Sequence, residues 1–178
     1  MSTLGVVISI YRIQDSEPRT RALRHVLSRV RERLAPDRII LSEQIVPGTD
    51  PWTDCDGLAD AHAVVGRDGD YCRSACCNAG VRAAGTDVVL ILDGDTCLDW
   101  QAVRAMAGTL PEGTVCKPYS VAYRLSADLT RQALKSGRVI IPPGLETTFG
   151  LGAIAVLIHT VDYWRVGGFD ERDRKSVV

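Results

Sequence analysis

Five consecutive apolar residues, Val88 to Leu92, run straight into Asp93-Gly94-Asp95. Two carboxylates separated by one residue at the mouth of a buried strand repel each other. A hard divalent cation relieves that repulsion, and Mn²⁺ or Mg²⁺ takes oxygen ligands from carboxylates and phosphates together. Gly94 is expected to let the backbone turn and a ligand approach closely. Asp-Gly is also ordinary turn chemistry. The chain holds its own comparison in Asp68-Gly69-Asp70, which has the same spacing but no long apolar strand before it, and which reads as a plain turn.

The elements around this pair alternate. Leu4 to Ile10 is a continuous apolar run, the kind expected of a strand covered on both faces. Ser16-Glu17-Pro18 opens a helix whose Leu23, Val26, Leu27, Val30 and Leu34 follow at helical spacing, with Pro36 as its stop. Arg38 to Leu41 is a second strand ending at Ser42-Glu43-Gln44. Pro47 to Asp60 is a long polar loop, and Ala61 to Val65 a short strand. Tyr71 to Ala84 is a helix closed by Gly85, followed by the strand Asp87 to Leu92. Asp99 caps a helix through Met106, a strand starts at Val115, and Ala127 to Ser136 is helical with Gly137 as its stop. Ala153 to His159 is the last strand, and Thr160 caps a short helix ending at Gly167-Gly168. Strands alternating with helices predict an α/β domain with a mainly parallel sheet. Ligands of such sheets lie beyond the carboxyl ends of the strands. That rule selects Ser9 to Arg12, Ser42 to Gln44, Asp93 to Asp95 and the segment after His159.

Composition narrows the classes. The 178 residues carry 21 Lys+Arg against 22 Asp+Glu and are 46% hydrophobic, which suits one globular domain and excludes a disordered tail. No basic excess exists to neutralise nucleic-acid phosphates. The longest apolar run, Gly152 to Ile158, falls far short of the roughly 20 residues that span a bilayer, so no membrane segment is expected. The N-terminus has no basic region before its apolar stretch and does not read as a secretory signal. Six cysteines, at 55, 72, 76, 77, 97 and 116, lack the spacing of a zinc site. They read as small buried thiols of a reducing cytosol, so the expected location is cytoplasmic, with a membrane-peripheral place kept as the alternative. The DxDxT of haloacid-dehalogenase-like phosphatases is a poor match, because Thr96 stands one place too early and the motif lies mid-chain.

Four segments, in order, resemble family 2 glycosyltransferases of the GT-A fold, a Rossmann-like nucleotide-diphospho-sugar transferase architecture. They are Ile40-Leu41-Ser42-Glu43-Gln44; Tyr71-Cys72-Arg73 with Asn78-Ala79-Gly80, similar to an F-N-R…N-x-G helix; the strand into Asp93-Gly94-Asp95; and Trp164 to Glu171, similar to a GGFDE segment. The grouping is nearest to galactosyltransferase-like and chondroitin-polymerase-like members and covers roughly residues 4 to 172. The resemblance implies that Ser9, Ile10, Tyr11, Arg12 and Glu43 line the uracil and ribose pocket of a UDP-sugar. It implies that Arg73 reaches the nucleotide and that Asn78 holds its helix beside the site. Asp93, with Gly94 between the pair, contacts ribose or metal, and Asp95 binds the Mn²⁺ or Mg²⁺ that bridges the diphosphate. Trp164, Gly167, Gly168, Asp170 and Glu171 fall on the side of a glycan or polysaccharide acceptor.

An inverting transferase also needs a general base. In the resembled subgroup that carboxylate lies just past GGFDE, in a segment like GWGxED, and a metal-binding His follows later. Here the chain reads Asp173-Arg174-Lys175-Ser176-Val177-Val178 instead. This hexapeptide is also one reading frame of a common sequencing adapter. The expectation is therefore a domain over 1–172, a non-native tail over 173–178, and a natural chain that continues. The competing expectation is a catalytically inactive nucleotide-binding module. A nucleotidyltransferase is the third, disfavoured because Ser9-Ile10-Tyr11-Arg12 lacks the glycines of a Gly-rich loop.

Overall fold

Alternating apolar runs and helical periods become alternating strands and helices in a computed structural model, which describes residues 2–11, 16–52, 57–136, 138–145, 147–148 and 154–172. β1 (Leu4–Tyr11) leads to α1 (Glu17–Arg29), which continues as a π-helical turn over Val30–Leu34. Ala35 closes it in the left-handed region at φ 47°, just ahead of Pro36. β2 (Arg38–Ile45) and β3 (Ala61–Gly66) flank the long loop, whose residues 53–56 lie outside the described residues. α2 (Arg73–Ala84) ends at Gly85, whose φ of 61° suits glycine. β4 (Val88–Asp93) then carries the acidic pair, and α3 (Trp100–Thr109) is capped by Asp99, which accepts from the Ala102 N–H at 3.1 Å. β5 (Val115–Cys116), β6 (Ala122–Tyr123), α4 (Ala127–Ser136), β7 (Thr147–Thr148), β8 (Ala155–His159) and α5 (Thr160–Arg165) complete the order. Gly137 and residues 173–178, the proposed helix stop and non-native tail, lie outside the described residues.

The central sheet has the order β3-β2-β1-β4-β8-β5. β1 to β4 are mutually parallel, and β8 runs antiparallel to both β4 and β5. β6 and β7 form a separate two-stranded ribbon. Side chains alternate across the sheet, so each face has its own core. Val6, Ile8, Ile10, Leu41, Leu90 and Leu92 pack with Leu23, Val26 and Leu27 of α1 and Val103 of α3. Val7, Ile40, Val89 and Ile91 pack with Cys77 and Val81 of α2 and Tyr163 of α5. Burial on both faces explains why β1, β2 and β4 read as apolar runs, whereas the edge strand β3 is only partly buried.

The reversed β8 corrects two sequence expectations. Val88 pairs with His159 and Leu92 with Ala155, so His159 stands at the sheet end opposite Asp93. Its Nε2 lies 2.8 Å from the Leu110 carbonyl. It is the start of β8 that meets the acidic pair, through the Asp93 N–H donating to Ile154 at 3.1 Å. Thr160 is the first residue of α5 rather than its cap, and its hydroxyl donates to the Thr86 carbonyl. Gly94 is the third correction. Its φ is not left-handed, and a Cβ there would lie 3.1 Å from Leu23 Cδ1 and 3.5 Å from Ile8 Cγ2. The turn does not use positive φ there, and a side chain would press on α1 and β1 from outside their packed core.

Candidate functional site

Parallel register assembles the site. Ser9 is level with Ser42 on one side and with Asp93 on the other. With a period of two, all three face α2. The Ser42 hydroxyl donates to the Cys76 carbonyl at 2.7 Å, which holds α2 against β2. Gly80 permits that contact, since a Cβ there would lie 2.2 Å from Val7 Cγ1 and 3.3 Å from Ser42 Cβ. Close packing of helix on sheet brings the first turn of α2 over the ends of β1 and β4.

Arg73, in that turn, donates to Asp93 Oδ1 from Nε at 3.0 Å and from Nη2 at 2.7 Å. Both donors use one oxygen. Among the described residues Asp93 Oδ2 accepts no hydrogen bond. Burial pushes the Asp93 carboxyl above its ordinary value, and Arg73 pulls against that rise. Asp95 follows in the Asp93–Thr96 turn with an exposed carboxylate. It makes no hydrogen bond or ion pair among the described residues. Among them no three His, Cys, Asp or Glu side chains converge as a metal cage. Two hard carboxylates with an open oxygen suit a cation that brings further ligands from phosphate and water, not one held by protein alone.

Gln44 and two tyrosines shape the neighbouring ground. Gln44, buried, accepts the Cys72 N–H on Oε1 at 2.7 Å and donates from Nε2 to the Asp70 carbonyl at 3.1 Å. It thereby fixes both the start of α2 and the bend at Asp68-Gly69-Asp70. Tyr11 stacks on Tyr71 with ring centroids 5.4 Å apart and planes 9° from parallel. The Tyr11 hydroxyl donates to the Gly69 carbonyl at 3.3 Å. The Asp68-Gly69-Asp70 bend, with Gly69 at φ 87°, thus borders the same end of the sheet.

Ile10 and Glu43 point the other way. Ile10 is 4% exposed within the α1-side core. Glu43 is fully buried: Oε2 accepts the Trp52 N–H at 2.8 Å and lies 3.1 Å from His62 Nε2. It anchors the β2–β3 loop beneath Trp52. Arg12 lies outside the described residues.

The two remaining motifs meet at one amide. Asn78, 3% exposed, donates from Nδ2 to the Phe169 carbonyl at 3.0 Å and to Glu171 Oε1 at 2.8 Å. Its Oδ1 accepts from the Phe169 N–H at 3.0 Å and from the Tyr163 hydroxyl. Gly167 and Gly168 stop α5 at φ 87° and 75°, donating to the Trp164 and Tyr163 carbonyls. A Cβ on Gly168 would lie 2.7 Å from Asn78 Oδ1. The glycine pair is therefore both a helix stop and the condition for the Asn78 clasp. Trp164 packs edge-on to Tyr163, and the Arg82 guanidinium sits 4.8 Å from its ring centre. Asp170 is exposed, and hydrogen bonds from Arg172 hold its carboxyl below the usual range. Cys72, Cys76 and Cys77 are buried thiols. Burial is the main cause that pushes Cys76 up to about 12 and Cys77 up to about 11.

Sequence reasoning quoted Tyr71 and Gly80 only as parts of motifs, placed Gln44 at a ligand-facing strand end without a role of its own, and missed Trp52 and His62. A polar residue at the end of a buried strand was the available signal for Gln44. Nothing in the sequence announced the Trp52 and His62 contacts.

No protein-family model matches this chain, and no curated protein matches it in sequence. Solved structures do. A mannosyltransferase from Pyrobaculum calidifontis, in complex with GDP-Man and Mn²⁺, superposes with a TM-score of 0.54 at 15% identity, over 96% of this chain and 48% of that one. The chain thus spans about half the length of that protein. A 4-diphosphocytidyl-2C-methyl-D-erythritol synthase superposes with a TM-score of 0.50 at 20% identity, over 95% of this chain and 82% of the other. At these identities the likeness is one of fold: the Rossmann-like fold of nucleotide-diphospho-sugar transferases.

Proposed function

We propose that the chain is the nucleotide-sugar-binding part of a metal-dependent, inverting glycosyltransferase that takes a hexose or N-acetylhexosamine from a UDP-sugar to a glycan hydroxyl. The observation that carries this reading is the Arg73–Asp93 pair beside an open Asp95, at the carboxyl ends of parallel strands and under the first turn of α2. Ligands of parallel α/β sheets lie at that end. Asp95 and the open oxygen of Asp93 would hold Mn²⁺ or Mg²⁺ together with the diphosphate, and the Mn²⁺ of the mannosyltransferase supports that assignment. When bound, the cation stabilises the charge that grows on the departing nucleoside diphosphate. Arg73 orients Asp93 and adds positive charge facing the phosphates. Tyr11, with Ser9 beneath, offers an aromatic edge to the base. Asn78 holds Glu171 and the Gly168-Phe169 backbone on the acceptor side, while Trp164 and Asp170 border that segment. No described residue is assigned as the general base.

The test is acceptor-dependent release of UDP from UDP-hexose and UDP-N-acetylhexosamine in Mn²⁺. Release that rises with a glycan acceptor supports the transferase. UDP binding without acceptor-dependent release supports the inactive-module reading. Pyrophosphate release from CTP or UTP points to the nucleotidyltransferase alternative and overturns both.

A further inference from the structure

The chain leaves the sheet after Cys116 and returns at Ala155, and this excursion is unlike the rest of the protein. Ile154 links its return directly to Asp93, and the Tyr119 hydroxyl accepts from the Ile154 N–H at 3.3 Å. The excursion therefore rises from the same end of the sheet as the acidic pair. Several of its large apolar residues are exposed: Val139 is 42% exposed, Ile140 73% and Ile141 38%, with Tyr123 at 43%. Within α4 only Ala133 is buried. Residues 117–148 also carry five Lys and Arg against two Asp and Glu, in a chain whose net charge is -1. Lys117, Arg124, Lys135 and Arg138 are exposed and make no ion pair among the described residues. Arg138 runs directly into Val139-Ile140-Ile141.

We infer that the described residues of this excursion up to 145 dock on a membrane surface rich in anionic lipid. One segment that carries exposed aliphatics together with exposed cations lacking an ion pair among the described residues is what such a surface rewards. The apolar groups enter the headgroup boundary, and the cations meet the negative surface potential within a Debye length. An apolar protein partner would use the aliphatics but leave the four cations unmatched, so charge decides for the bilayer. Docking there would hold the acidic pair close to the membrane. The inference does not depend on the transfer reaction, since it concerns a different surface and needs no nucleotide.

The experiment is co-sedimentation of the full chain with vesicles of about 30% phosphatidylserine in phosphatidylcholine at about 0.1 M salt. Binding is expected to the anionic vesicles and not to pure phosphatidylcholine. It should fall by about 10-fold when Lys135 and Arg138 are both replaced by Ser, and by a similar factor in about 0.5 M salt. Ile140→Asp should weaken binding comparably. Val166→Asp, an exposed aliphatic outside the excursion, should leave it unchanged. Unchanged thermal melts keep a folding defect from passing as lost docking, and all four positions are exposed. Absence of anionic-vesicle binding overturns the inference. So does binding that survives both substitutions, or a dimer in solution that Ile140→Asp dissociates.

Discussion

Replacing Asn78 by Ala removes the amide that joins α2 to the Gly167-to-Glu171 segment. The side chain makes four hydrogen bonds from a site 3% exposed. Its loss leaves the proton of the buried Tyr163 hydroxyl without an acceptor, which costs about 1–3 kcal/mol for an unsatisfied donor. The Phe169 N–H keeps a longer alternative, Tyr163 Oη at 3.4 Å, so its share is smaller. The bonds to the Phe169 carbonyl and to Glu171 each add about 0.5–1.5 kcal/mol at most, and Glu171 is exposed enough to recover water. The sum is about 3 kcal/mol, or a fall in Tm of about 6–12 °C for a chain of this size. Urea denaturation followed by Trp fluorescence measures it. Tyr163→Phe on the Asn78→Ala background removes the stranded hydroxyl, so the double variant should recover about 1 kcal/mol relative to additivity. A loss below about 0.5 kcal/mol for Asn78→Ala, or strict additivity, would refute the clasp.

Gly80→Ala should destabilise the fold by about 2 kcal/mol in the same assay. The Cβ meets Val7 Cγ1 at 2.2 Å, and overpacking of up to about 3 kcal/mol outweighs the ~1 kcal/mol that Ala gains over Gly in a helix. Arg73→Met should raise the Asp93 pKa further, read by carboxyl-carbon NMR titration, because burial is left unopposed. The folded-state value already lies above the unfolded one, so ionising Asp93 costs stability as pH rises from the unfolded towards the folded value. In Arg73→Met that loss should extend to higher pH. An unchanged titration would show that the ion pair does not set the Asp93 environment.

The parallel half of the sheet was legible because burial on both faces writes continuous apolar runs, as in Leu4 to Ile10 and Val88 to Leu92. The direction of β8 was not legible. An apolar run of the same kind serves either orientation, and only pairing with Leu92 at Ala155 reveals the reversal. This is why His159 was expected at the wrong end. Glycines showed a similar limit. Gly85 and the Gly167-Gly168 pair follow helices and announce stops, whereas Gly94 and Gly80 are dictated by atoms from β1 and α1 that the local sequence does not contain. The motif order Glu43, Arg73, Asn78, Asp93 carried information about one end of the sheet. It did not separate Asp93, facing α2 with Arg73, from Glu43, which faces the opposite layer under Trp52.

The central claim is that Asp95 and a divalent cation together hold a nucleoside diphosphate at the mouth of β4. Calorimetric titration of UDP into the protein, in Mn²⁺ and again in EDTA, tests it most directly when repeated with Asp95→Ala. The account predicts binding by the wild-type chain that is lost in EDTA, and weak binding by Asp95→Ala that is indifferent to metal. Equal UDP binding by both proteins in EDTA would contradict it.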